Sequence, residues 1–158
     1  MGDNVVTVSY TKGSSTVSGT ITIVGEEAVV TNLFNKDDTD IAIGHRIRSN
    51  GETQYQAEGQ LVTGWIEVKA GDTIVITSDK ACNTNSYTGT ICCYGTDKAK
   101  LGSLGTSSTT QVTISADALT ETMVIPTGTL TTSDFSGTTY MRCCIAYSDI
   151  DSIVITKS

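Results

Sequence analysis

Side chains able to do chemistry are few in this chain, and their spacing suits catalysis poorly. A nucleophile needs a base beside it. The one histidine, His45, lies in Gly44-His45-Arg46-Ile47-Arg48, an alternating segment in which it reads as a surface-facing strand residue. Glycoside hydrolysis needs two carboxylates facing each other across a cleft. Asp37, Asp38 and Asp40 instead share one loop, and Asp149 and Asp151 share another, the usual placement of solvated turn acids. The first loop carries enough oxygens to interest Ca2+, but it lacks the ordered spacing of an EF-hand loop. No glycine-rich segment follows a strand and opens a helix, so no phosphate cradle is expected. The expectation is a non-enzyme with no catalytic residue, no metal ligand and no cofactor.

The five cysteines are Cys82 and the adjacent pairs Cys92-Cys93 and Cys143-Cys144. An odd number cannot close completely into disulfides within one chain, and neighbours on a strand point to opposite faces and resist bonding to each other. They are expected to be reduced thiols serving as small core hydrophobes. Zinc would need CxxC-type spacing or histidines nearby, and neither is present.

The elements that must carry these residues are strands. In Gly64–Ile76, Ile66 and Val68 alternate with Trp65, Glu67 and Lys69, Ala70-Gly71-Asp72 turns the chain, and Ile74 and Ile76 alternate with Thr73, Val75 and Thr77. This reads as a half-buried hairpin. Further strands are expected at Val5–Tyr10, Val17–Val24, Ile41–Ile47, Gly89–Tyr94, Gln111–Ser115, Glu121–Ile125, Thr139–Tyr147 and Ser152–Thr156. Asn50-Gly51 marks a tight turn because both residues tolerate positive φ. The sole helical candidate is one 3₁₀ turn at Ser115–Leu119. Such punctuation predicts an all-β fold, an antiparallel β-sandwich of jelly-roll-like form. Residues 1–27 read as an N-terminal β arm or first hairpin able to anchor or exchange strands, and residues 28–158 as the β-sandwich domain.

Bulk composition narrows the partners. The 158 residues suit one main domain, and 17% charged with 38% hydrophobic residues indicates a folded, soluble chain without a membrane-crossing run. A net charge of −7 and a pI near 4.5 oppose binding to nucleic acid. The segment MGDNVVTVSY has neither a basic nor a continuous apolar region of the signal-peptide kind. Sugar recognition draws on exposed aromatic planes, which singles out Trp65, Tyr55 and Tyr87 as contact residues, with Tyr94 as an alternative.

Several segments together resemble a known family. Asn32-Leu33-Phe34-Asn35, Gly44–Glu52, Thr63–Ile74, Tyr140-Met141-Arg142 and Asp151–Thr156 are similar to a β-sandwich module of bacteriophage virion structural proteins of the tail, fibre or head-appendage type. The resemblance spans about residues 31–158. Glu67 departs from it where proline is common, as do Cys143 and Cys144 after the Tyr-x-Arg step. It implies a virion component assembled in the host cytoplasm, either a capsid-decorating protein or a fibre head domain. Its implied partners are other virion subunits and host-surface glycan, in a homo-oligomer such as a trimer. The Ala-Gly-Asp turn between strands also occurs in jelly-roll carbohydrate-binding modules, so a secreted module of a larger enzyme is the alternative.

Overall fold

The computed structural model describes residues 4–12, 14–23, 30–81, 90–105 and 111–158. The chain divides into two compact units, Met1–Val30 and Thr31–Ser158. In the first, β1 (Asn4–Lys12) and β2 (Ser15–Ile23) form an antiparallel ribbon whose register runs from Asn4 opposite Ile23 to Lys12 opposite Ser15.

The second unit is all-β and built from several antiparallel sheets. Along the chain come β3 (Ala42–Ile43), β4 (His45–Ile47), β5 (Thr53–Tyr55), β6 (Gln60–Val62), β7 (Ile66–Glu67), β8 (Thr73–Thr77) and β9 (Thr90–Tyr94). These are followed by β10 (Lys100–Leu104), β11 (Val112–Ile114), β12 (Thr120–Val124), β13 (Thr129–Leu130), β14 (Ser133–Asp134), β15 (Tyr140–Ala146) and β16 (Val154–Lys157). The larger sheet has the order β10-β9-β15-β6-β3, with β7 also paired to β15, and the smaller has the order β11-β12-β8-β16. Two short hairpins, β4-β5 and β13-β14, complete the set.

Alternation decides which side chains are buried. In β8, Ile74 and Ile76 are buried while Thr73, Val75 and Thr77 remain half-exposed, as a period of two on a one-sided sheet requires. Ile74, Ile76, Met123 and Ile155 from the smaller sheet share one buried cluster with Leu61, Ile91, Leu104, Met141 and Ile145 from the larger. Central β15 is buried on both sides, because the other face of its sheet meets a second cluster of Ile47, Val62, Cys92 and Tyr94. The β4-β5 hairpin supplies Ile47 to that cluster. It is held down where Tyr94 Oη donates to Gly51 O (3.0 Å) and Lys100 Nζ to Ser49 O (2.6 Å).

Three expectations are corrected. Gly64–Ile76 is not a hairpin: β7 pairs with β15, while β8 pairs with β12 and β16. The Ala70-Gly71-Asp72 turn therefore carries the chain from one sheet to the other. It is fixed by Gly71 at φ +92 and by Asp72 Oδ2 accepting from Lys69 N. The single strand expected at Ile41–Ile47 breaks at Gly44, whose φ of +75 redirects the backbone so that β3 joins the large sheet and β4 joins β5. Ser115–Leu119 forms a plain turn with Ala118 at φ +59. Among the described residues the 3₁₀ turn is instead Ile150–Ser152, capped by Asp149.

Candidate functional site

A grouping of polar and aromatic side chains is built on an interruption of the large sheet. Strands β6 and β7 both pair with β15, and the intervening Thr63-Gly64-Trp65 departs from the ladder. Thr63 covers the gap: its N–H donates to Cys143 O and its Oγ1 accepts from Cys143 N, each at 3.0 Å. The Thr63 carbonyl turns to Arg142 and accepts from Nε at 2.8 Å, while Arg142 Nη2 donates to Asp40 O at 2.6 Å. Buried backbone carbonyls need partners, and one guanidinium serves both the bulge and the acidic loop. A Cβ at Gly64 would meet the Asp38 carboxylate, which would have to swing aside.

Trp65 projects from this bulge and is half-buried. Its ring meets Tyr94 edge-on at 4.9 Å between centroids and Tyr140 at 6.3 Å. Arg142 Cζ lies 5.0 Å from the Trp65 ring centroid, and Lys98 Nζ lies 4.6 Å from it. Lys98 reaches that position from a turn in which its own φ is +60. Burial draws the Arg142 pKa below its ordinary value, opposed by nearby Tyr94, Asp40 and Asp38, and burial pushes the Tyr94 phenol up. Arginine stays charged through such a shift. Trp65 is thus a seam residue with two cations against its ring.

The other residues expected to contact ligand are elsewhere. Tyr55 is 59% exposed and packs edge-on against His45 at 5.8 Å, in a ring pair separate from the Trp65 group. Tyr87 lies outside the described residues. His45 donates from Nδ1 to Ile43 O at 2.7 Å, which ties its ring to the local backbone.

The two acidic loops are brought together by the Lys36–Asp151 ion pair. Asp79 organises the second loop by accepting from Ser148 N, Asp149 N and Ser152 Oγ. The bond from Ser148 N is the chief reason its carboxyl sits below the ordinary range. Among the described residues no group of three or more His, Cys, Asp or Glu side chains is placed to hold a metal ion. Of the buried acids, Asp72 braces the inter-sheet turn, and Glu121 lines a cavity of about 20 Å³, room for a single water.

Cys92, Cys93, Cys143 and Cys144 are free and buried, while Cys82 falls outside the described residues. Adjacent thiols part to opposite faces: Cys93 and Cys143 join the inter-sheet cluster, and Cys92 joins the cluster under the β4-β5 hairpin. Burial is the main cause that pushes the Cys93 and Cys144 thiols up to about 12 and raises Cys92 and Cys143 as well. Such thiols are poor nucleophiles.

Lys98 and Arg142 escape a reading of the sequence as site residues. Lys98 acts through a left-handed turn position, and Arg142 through a bulge on another strand, neither of which has a periodic signature. Searches against protein-family models, curated proteins and solved structures return no match to this chain.

Proposed function

We propose that the chain is a non-enzymatic attachment protein of a bacteriophage virion, a capsid-decorating subunit or a fibre head, whose Thr31–Ser158 unit is a β-sandwich. In this reading the six-stranded and four-stranded sheets are its two layers, a view supported by the buried cluster to which both contribute. The observation that carries the function is the separate N-terminal ribbon. A two-stranded hairpin alone is marginally stable in water, and its outer edges offer unpaired N–H and C=O groups that seek further strands. A ribbon of two nine-residue strands, in a chain whose other unit has its own core, suits an anchor that completes itself on another copy or another virion subunit. Oligomerisation and subunit contact are then the work of the ribbon, and loops of the larger unit meet the host surface.

Size-exclusion chromatography with light scattering tests this. The full chain is expected to assemble, and the 31–158 fragment to stay folded and monomeric. A full chain that runs as a monomer, or that hydrolyses a sugar, would count against the proposal, and neighbouring genes for capsid or tail proteins would count for it. The reading as a secreted carbohydrate-binding module draws less support, because the single tryptophan already has Lys98 and Arg142 against its ring.

A further inference from the structure

Beside the β4-β5 hairpin lies an open groove of about 420 Å³, within the size range of small-ligand sites. Its lining includes Arg46, Arg48, Ser49, Thr90, Cys92 and Ser103. The chain has three arginines, and two of them are here. Among the described residues no carboxylate lines the groove, although Asp and Glu outnumber Lys and Arg by 17 to 10 in the chain. A cleft with one sign of charge focuses potential far more than a flat surface does, so this groove is a cationic spot on a protein of net charge −7.

Its walls are held in place. Ile47, between the two arginines, is buried against Val62, Cys92 and Tyr94. Tyr94 Oη and Lys100 Nζ fasten the hairpin turn through the carbonyls of Gly51 and Ser49. Lys100 adds its charge behind Ser49, and the Cys92 thiol lies within its field. On the floor, Ser103 Oγ stands 3.2 Å from Cys92 Sγ. Arg46 is half-buried and engaged, with Nη2 donating to Gln54 Oε1 at 3.5 Å among its contacts, whereas Arg48 is exposed. Guanidinium groups with hydroxyls beside them are the donors that recognise a carboxylate through paired N–H bonds. A fixed site loses little conformational entropy on binding.

We propose that this groove binds the carboxylate of an acidic sugar, a sialic or uronic acid carried on a host-surface glycan. This deepens the attachment reading and rests on it. The overall negative charge disfavours a long polyanion such as nucleic acid, whereas one carboxylate on an otherwise neutral oligosaccharide presents its charge only to the groove. Neutral ring hydroxyls would find Ser49, Thr90 and Ser103.

Isothermal titration calorimetry on the full chain tests the proposal with 3′-sialyllactose and tetragalacturonate as acidic probes and lactose and maltotetraose as neutral ones. The expected result is saturable binding of at least one acidic probe, weaker at higher salt and absent for its neutral counterpart. Arg48→Gln, at an exposed position, should fold normally and lose about tenfold or more in affinity. Failure of both acidic probes, equal binding of a neutral one, or unchanged affinity in Arg48→Gln would each overturn it. Light scattering on the same preparations separates the two readings. Assembled protein that ignores acidic sugars loses only this inference, whereas a monomer that ignores them loses the attachment reading as well.

Discussion

Alkaline pH should destabilise this protein through its buried thiols. Cys92, Cys93, Cys143 and Cys144 are buried and free, and those of Cys93 and Cys144 are pushed up to about 12 from an ordinary value of 9.0. Below about pH 9 both native and unfolded chains keep these protons, and the thiols make no pH-dependent contribution. Above it the unfolded chain releases protons that the native state retains, so stability falls as pH rises until the native thiols ionise. Going from about pH 9 to about pH 10 lowers stability by about 1 kcal/mol for each of Cys93 and Cys144, about 2 kcal/mol for the pair, and Cys92 and Cys143 act in the same direction. A typical domain has about 5–15 kcal/mol in all. Urea unfolding under reducing conditions at several pH values between 8 and 10 measures the fall. Lysine and tyrosine titrations add a background, which comparison with Cys93→Ala removes; the fall in that variant should be smaller by about 1 kcal/mol over the same interval. An identical pH dependence in wild type and Cys93→Ala would refute the reasoning. So would rapid reaction of all four thiols with a chromogenic disulfide in the native protein at neutral pH.

Gly102→Ala should destabilise by about 1–3 kcal/mol through overpacking, because its Cβ would stand 2.4 Å from Phe135 Cζ and 2.8 Å from Ser133 Cβ; Gly128→Ala, with nothing within 4 Å, should be close to neutral in the same urea titration. Lys98→Gln should shift the emission of the single tryptophan and cost about 0.5–1 kcal/mol, the worth of an exposed cation–π contact, and unchanged emission would remove Lys98 from the Trp65 ring. The Asp79 carboxyl is held below its ordinary value of 3.8, chiefly by the bond from Ser148 N. Its support of the 148–152 loop is therefore present above about pH 4 and lost as pH falls through the lower native value. Carboxyl NMR titration should place its midpoint under 3.8, and a midpoint above that would contradict the contacts.

Local pattern carried much of the fold. The alternation of Ile74 and Ile76 with Thr73, Val75 and Thr77 named the buried face of β8 before any partner was known. Adjacent cysteines on a strand had to part, as Cys92 and Cys93 do. Residues near Gly44 and Gly64–Ile76 were misread because strand pairing is not local: a strand, turn, strand segment has the same periodicity whether its halves pair with each other or with strands far along the chain. Gly44 and Gly71 punctuate in sequence, but the sheet that receives the next strand depends on what else is available to hydrogen-bond. Trp65 was singled out as a ring for sugar, yet the cations that clasp it come from Lys98 and Arg142, which are distant in sequence.

Composition and periodicity by themselves determined that the chain is made of strands, that adjacent cysteines on a strand part to opposite faces, that its average surface is acidic, and where most turns fall. These follow from side-chain alternation and from the few residues that tolerate turn geometry. Only the tertiary structure decided that Ala70-Gly71-Asp72 joins two sheets, that Arg142 secures both the Thr63 bulge and the Asp40 loop, and that Arg46 and Arg48 border a groove that no carboxylate lines among the described residues. Each of these depends on which distant segments meet, and contact between residues eighty or a hundred positions apart is settled by hydrogen-bond pairing and burial across the whole chain.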